Sequence, residues 1–173
     1  MLELFGQLYE PLCETLFLTF VPLVIAIILG SIIGVIIFVS GDNGIIDVNK
    51  NIFTKILHVV CDGLVNIFRS IPYLILLIWL IPVTKFLVGS TIGAEAAIPS
   101  LTLSATPFFA RMVVIAFNEV DKGTIEASKA IGANTLEIVF KVLIPESMPA
   151  LISSIAVTAI NLVSYSTMAG AVG

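Results

Sequence analysis

The stretch Thr15–Gly41 reads TLFLTFVPLVIAIILGSIIGVIIFVSG and carries no charged side chain. Crossing about 30 Å of hydrocarbon takes about 20 apolar helical residues at 1.5 Å each, so this run alone is long enough to span a membrane. Ser147–Gly173 is also free of charge. Two shorter gaps lie between them, Ser70–Thr84 flanked by Arg69 and Lys85, and Ala96–Ala110 flanked by Glu95 and Arg111. Both reach spanning length when the flanking side chains snorkel to the interfaces. The gaps predict four spans, about 15–39, 60–84, 94–117 and 148–171.

Composition agrees. Of 173 residues, 58% are apolar and 12% charged, with a mean hydropathy of +1.14. A soluble domain is about 25% charged, so too few ionisable groups exist here to cover a water-facing globule. So much Ile, Leu, Val and Phe also excludes disorder. A net charge of -4 without a basic cluster gives no support for nucleic-acid binding. The fold class expected is an all-α integral membrane bundle of about four spans. Basic side chains mark the cytoplasmic side. The segment 1–14 has Glu3, Glu10 and Glu14 and no basic residue, so it is expected outside. Lys50, Lys55, Arg69, Arg111, Lys122, Lys129 and Lys141 then fall inside, leaving Lys85 as the one outer basic residue. The acidic start and the absence of a small-residue cleavage site exclude a secretory signal. Cys13 and Cys61 lie at opposite ends of their spans and are read as free thiols. His58 has no metal-ligand spacing and is read as an interfacial polar residue.

The cytoplasmic connection 118–147 is far longer than the few residues usual between packed helices, yet it is rich in Ile, Val, Leu and Ala. Thr124 is expected to cap a short helix from Ile125, with Glu126 in its first turn. Gly132 suits the left-handed position that stops a helix. Asn134 with Glu137 forms a capping-box pattern for a second helix, which Pro145 is expected to close. Ile131, Leu136, Val139, Phe140 and Leu143 give these short helices an apolar side. It can be covered by the membrane and the underside of the bundle, or by a soluble partner. The residues alone leave both open.

Glu126-Ala127-Ser128, then Gly132 after three residues, then Val142-Leu143-Ile144-Pro145 after nine more, resembles the EAA motif of ABC importer permeases. Ser128, Val142 and Ile144 depart conservatively from the pattern, while Gly132 and Pro145 are in register. The runs Asn66–Pro72, Trp79–Pro82, Ala105–Met112 and Tyr165–Gly173 are similar to methionine-importer permeases of the MetI type. The resemblance implies a type-1 transmembrane domain over 15–173 in a prokaryotic inner membrane, with 118–147 as an ATPase-coupling loop. It further implies two ATP-binding subunits, an extracytoplasmic substrate-binding protein and a second permease copy as partners. ATP and Mg belong to the partner ATPase. This chain has no G-x-x-x-x-G-K-[ST] run, so no cofactor of its own is expected and it is not read as an enzyme. Methionine (D- or L-) or a related amino acid is the implied substrate. Relatives of this type continue past Gly170 with at least one more span, so the chain is expected to be incomplete at its C-terminus. A transport-inactive fragment is therefore the alternative reading, as is a permease for a different amino acid. An ion-coupled secondary transporter is disfavoured, because no Asp or Glu falls mid-span.

Ala26, Gly30 and Gly34 form a four-residue stripe that permits close helix approach, read as packing within the subunit. Ala96, Ser100 and Ser104 repeat the spacing, and Pro99 and Pro107 are expected to bend their helix. Arg69 and Arg111 are read as interfacial charges, with Asp62 or Glu119 as possible ion-pair partners. Asn161, Ser164 and Tyr165 place polar groups deep in the last span. Such groups face protein or water, so pathway lining and interhelical hydrogen bonding both remain open.

Overall fold

The computed structural model describes residues 2–41, 45, 52–90 and 93–172. Lys50 and Gly173, which entered the orientation and chain-end expectations, lie outside them, as does the side chain of Glu3. The elements in chain order are α1 (Leu2–Ser40), α2 (Ile52–Ser70), α3 (Tyr73–Val88), α4 (Ala94–Asn118), α5 (Lys122–Ala130), α6 (Thr135–Ile138), a π-helical turn (Val139–Leu143) and α7 (Ile144–Val172). The described residues hold three helices long and apolar enough to cross a membrane, or four if the bent pair α2–α3 counts as one. This is the all-α membrane bundle expected.

α4 is the central helix and packs against α1, α2, α3 and α7. Its buried residues Leu101, Ala105, Phe109, Val113 and Phe117 recur at four-residue spacing along one side, as a helix face requires. The helix runs continuously through Pro99 and Pro107. The small-residue stripe of α1 explains how closely the two helices approach. A Cβ at Gly30 would lie 2.9 Å from the Thr106 carbonyl oxygen, and one at Gly34 would lie 2.7 Å from that of Ala110. Ala26 is fully buried on the same stripe. Small side chains here bring α1 and α4 together inside one subunit.

The helices differ in shape and length from the straight segments expected. The segment 60–84 is not one helix, because α2 and α3 meet at an angle of 109°. Pro72 lacks an N–H and its ring drives Ile71 away from helical geometry. Pro72 itself is extended (φ -57°, ψ 137°) and starts α3, its carbonyl accepting from Ile75 N at 3.0 Å. The helix that carries the last expected span is longer than that span, since it is continuous from Thr135 to Gly170. Residues 2–14 are helical and continue into the first expected span, as α1 begins at Leu2.

α2 exposes Ile52, Ile56, Val60, Leu64 and Ile67 and turns polar side chains inward. His58 Nδ1 lies 3.1 Å from the Ile37 carbonyl oxygen and 3.5 Å from Ser40 Oγ. Arg111 Nη1 donates to Asp62 Oδ1 at 3.1 Å, and Asn66 Nδ2 donates to Asp62 Oδ2 at 2.8 Å. Of the two carboxylates considered for Arg111, the structure selects Asp62. Cys13 is exposed and Cys61 half-buried, both free thiols.

Candidate functional site

The helix–glycine–helix element is built almost wholly by local capping. α5 begins one turn earlier than expected. Its cap is Asp121, whose carboxylate accepts from Gly123 N at 2.6 Å and Thr124 N at 3.3 Å. Thr124 is therefore not the cap, and Glu126 sits mid-helix rather than in the first turn. An aspartate caps at least as well as a threonine, and Asp121 comes first along the chain. At the other end Ala133 N donates to Ser128 O at 3.1 Å and Gly132 N to Lys129 O at 3.0 Å. These are the two bonds of a Schellman stop, and Gly132 holds the left-handed conformation it needs (φ 86°).

Asn134 opens α6 as expected. Its side chain accepts from Glu137 N at 2.9 Å, while Asn134 N donates to Glu137 Oε2 at 3.0 Å. That backbone donor, reinforced by Lys141 Nζ at 3.2 Å from Oε1, holds the Glu137 carboxyl below its ordinary pKa. Pro145 does not close the second helix. A proline clashes with the carbonyl four residues back in an α-helix, but here the preceding residues form a π turn whose bonds reach five residues back. Ile144 N bonds to Val139 O. The wider turn lets the chain pass Pro145 and enter α7 without a break.

The apolar residues divide between two faces. Val139 and Leu143, with Ile125 and Ile138, are buried in one cluster with Phe38, Phe109, Val113 and Phe117 of α1 and α4. Ile131, Leu136 and Phe140 point the other way, at 85%, 67% and 64% exposure. The element is thus anchored under the bundle and still presents an apolar crest. Of the EAA residues, Glu126, Ala127, Gly132 and Pro145 are exposed, while Ser128, Val142 and Ile144 are half-buried. Ser128 Oγ donates to Thr124 O at 2.8 Å.

The remaining candidates are scattered. Arg69 is exposed at the end of α2. Asn161 is half-buried, and Ser164 is exposed with its hydroxyl donating to Ile160 O at 3.2 Å. Tyr165 turns inward and stacks on Tyr73, ring centroids 4.7 Å apart and planes at 13°. Tyr73 escaped sequence reading because its partner comes from a distant helix. Asp121 was legible, since Asp followed by a short helical run is an N-cap signal.

Residues 44–173 match the family described as binding-protein-dependent transport system inner membrane component. The chain is 59% identical over 119 residues to the methionine import system permease protein MetP of Bacillus subtilis, a match covering 69% of this chain and 54% of that protein. It is 46% identical over 157 residues to the D-methionine transport system permease protein MetI of Yersinia pestis, covering 91% of this chain and 70% of the relative. A solved inward-facing structure of the MetNI methionine ABC transporter superposes with a TM-score of 0.86 at 47% identity, over 92% of this chain and 71% of the solved one. The chain thus spans about half of the Bacillus relative's length and some seven-tenths of the others.

Proposed function

Given that this chain belongs to the family of binding-protein-dependent transport system inner membrane components, we propose that it is the permease subunit of an ABC importer carrying methionine, D- or L-, or a related amino acid. The family is a membrane component and not an ATPase, so the energy comes from a separate subunit. The single observation that carries the reading is the capped element 121–145. Its inner face is locked to α1 and α4, and Ile131, Leu136 and Phe140 stand exposed on its outer face. Such a lever transmits a push from below into α7, to which it is continuous through the π turn.

In this reading Glu126, Ala127, Ser128 and Gly132 lie on the side that meets an ATP-binding subunit, and Val142, Ile144 and Pro145 join the lever to the span. Two ATP-binding subunits carrying ATP and Mg, a second permease copy and an extracytoplasmic substrate-binding protein complete the assembly. The distribution of basic residues supports an inner-membrane orientation with the element in the cytoplasm and the N-terminus outside. The names of the methionine permeases it resembles support methionine as cargo. Reconstitution in proteoliposomes tests this. Labelled methionine is expected to accumulate only with ATP, the ATP-binding subunit and the binding protein all present. Accumulation without ATP would refute the importer reading.

A further inference from the structure

α2 is attached to the bundle by less burial than its neighbours. α3 buries Tyr73, Leu76, Leu80 and Thr84, and α4 is buried along one side over most of its length. In α2 the one buried residue is Val65. It forms a small cluster with Ile37 of α1 and Ala110 and Val114 of α4, against which Cys61 packs. The bonds that hold α2 in place are polar. His58 Nδ1 lies 3.1 Å from the Ile37 carbonyl oxygen. Asp62 accepts from Arg111 Nη1 of α4 at 3.1 Å and from Asn66 Nδ2 of its own helix at 2.8 Å. At membrane depth an ionisable side chain is tolerated when an opposite charge meets it, so Asp62 is what allows Arg111 to stand in α4.

Three features make this attachment reversible. α2 ends at the Pro72 elbow, where the direction changes by 109° and the missing N–H breaks the hydrogen-bond ladder, so α2 can turn without unwinding α3. An element with one buried residue also separates at lower cost than one packed along a whole face. Finally, the ion pair is open on one side, Arg111 at 36% and Asp62 at 28% exposure. Arg111 stands seven residues before the end of α4, within snorkelling reach of that interface, so its charge has a second resting place when Asp62 leaves. The pair also adjoins the coupling element. Ile37 and Val114 belong to the cluster under α2, while their chain neighbours Phe38 and Val113 belong to the one that buries Ile125, Ile138, Val139 and Leu143. A displacement of the coupling element therefore reaches the residues on which α2 rests.

We propose that the Asp62–Arg111 pair is a latch, which holds α2 on α4 in this state and opens when α2 swings about the Pro72 elbow during the transport cycle. Asp62 is a positioning residue, acting through Arg111 and through the placement of α2. The dependence of the opening on ATP rests on the reading of the chain as an ABC importer permease.

The native Cys61, next to Asp62 and packed against the cluster under α2, reports the opening once C13S has removed the other thiol. The test is the rate at which N-ethylmaleimide modifies Cys61 in the complete assembly in lipid nanodiscs, without nucleotide and trapped with ATP and vanadate. Modification is expected to be slow without nucleotide and about tenfold faster in D62N or R111Q, as loss of one charge-assisted bond shifts such an equilibrium. D62N/R111Q should be no faster than either single variant, because both remove the same bond, and D62E should stay slow. Trapping should speed modification of the chain that keeps Asp62 and Arg111. A second measurement reads transport. D62C/R111C in the C13S/C61S chain, bridged by a short bis-methanethiosulfonate, is expected to lose ATP-driven uptake and to regain it on reduction. A Cys61 rate indifferent to D62N and R111Q or to trapping, or undiminished uptake by the bridged chain, overturns the latch and leaves the importer reading intact. A Cys61 rate that follows ATP in an assembly that accumulates no methionine keeps the latch and overturns the importer reading.

Discussion

Gly132 has no neighbouring atom within 4 Å of where a Cβ would stand, so within this chain its requirement is conformational rather than steric. A non-glycine residue in the left-handed region costs about 1–2 kcal/mol, and asparagine tolerates it better than alanine. G132A is therefore expected to loosen the elbow and lower ATP-driven uptake, and G132N to keep most of it. Equal loss in both would show that the position rejects any side chain because of a partner surface. Asn134 and Glu137 form the second local device. N134A is expected to remove about 1 kcal/mol from the helix start, read as faster amide exchange across 134–138. Glu137 has a folded pKa lowered first by its bond from Asn134 N and then by Lys141. A lowered carboxylate pKa stabilises the fold above the ordinary glutamate value, about 4.3, and the contribution disappears as pH falls through the lowered one. The capping box should thus be intact at neutral pH and open only in acid, which a carbon-13 titration of the Glu137 carboxyl would follow. Caps are local, and so Gly132, Asn134 and Glu137 were legible in the sequence.

At the level of elements, the α1–α4 contact depends on absent side chains. Adding a methyl at Gly34 places it 2.7 Å from both the Ala110 carbonyl and Val113 Cβ, so backbone must move, at a cost of about 1–3 kcal/mol. G34A is expected to lower the thermal midpoint in detergent. Gly63 in α2 has nothing within 4 Å, so G63A should be neutral or stabilising by up to about 1 kcal/mol. Similar effects from both would sink the close-approach account. The stripe at 26, 30 and 34 was readable because helical periodicity puts those residues on one face. The elbow at Pro72 was harder, since the uncharged run Ser70–Thr84 continues through it and hydropathy does not register direction. The π turn was invisible for a related reason. Pro145 carries the signal of a helix end, and only a change in the preceding hydrogen-bond pattern lets the helix continue.

For the whole molecule, charge placement was enough to give the helical membrane bundle, because few ionisable groups survive in hydrocarbon. Contacts between distant helices were not readable in that way. The Tyr73–Tyr165 stack needs three-dimensional placement of helices far apart in sequence, as does the choice of Asp62 over Glu119 as the partner of Arg111. The same placement buries Ile138, Val139 and Leu143 of the connection against the bundle and leaves Ile131, Leu136 and Phe140 exposed. An apolar crest of this kind is expected to seat in a pocket of the ATP-binding subunit, where burying each side chain is worth about 1.5–3 kcal/mol. Charging it should break the assembly while the anchors hold the fold. The most direct measurement is co-purification of the ATP-binding subunit with the F140D/I131D chain, alongside ATP-driven methionine uptake. The variant is expected to insert and remain helical, to lose the ATP-binding subunit, and to show uptake at background. Retention of that subunit at wild-type stoichiometry with undiminished uptake would contradict the assignment of this element as the coupling site.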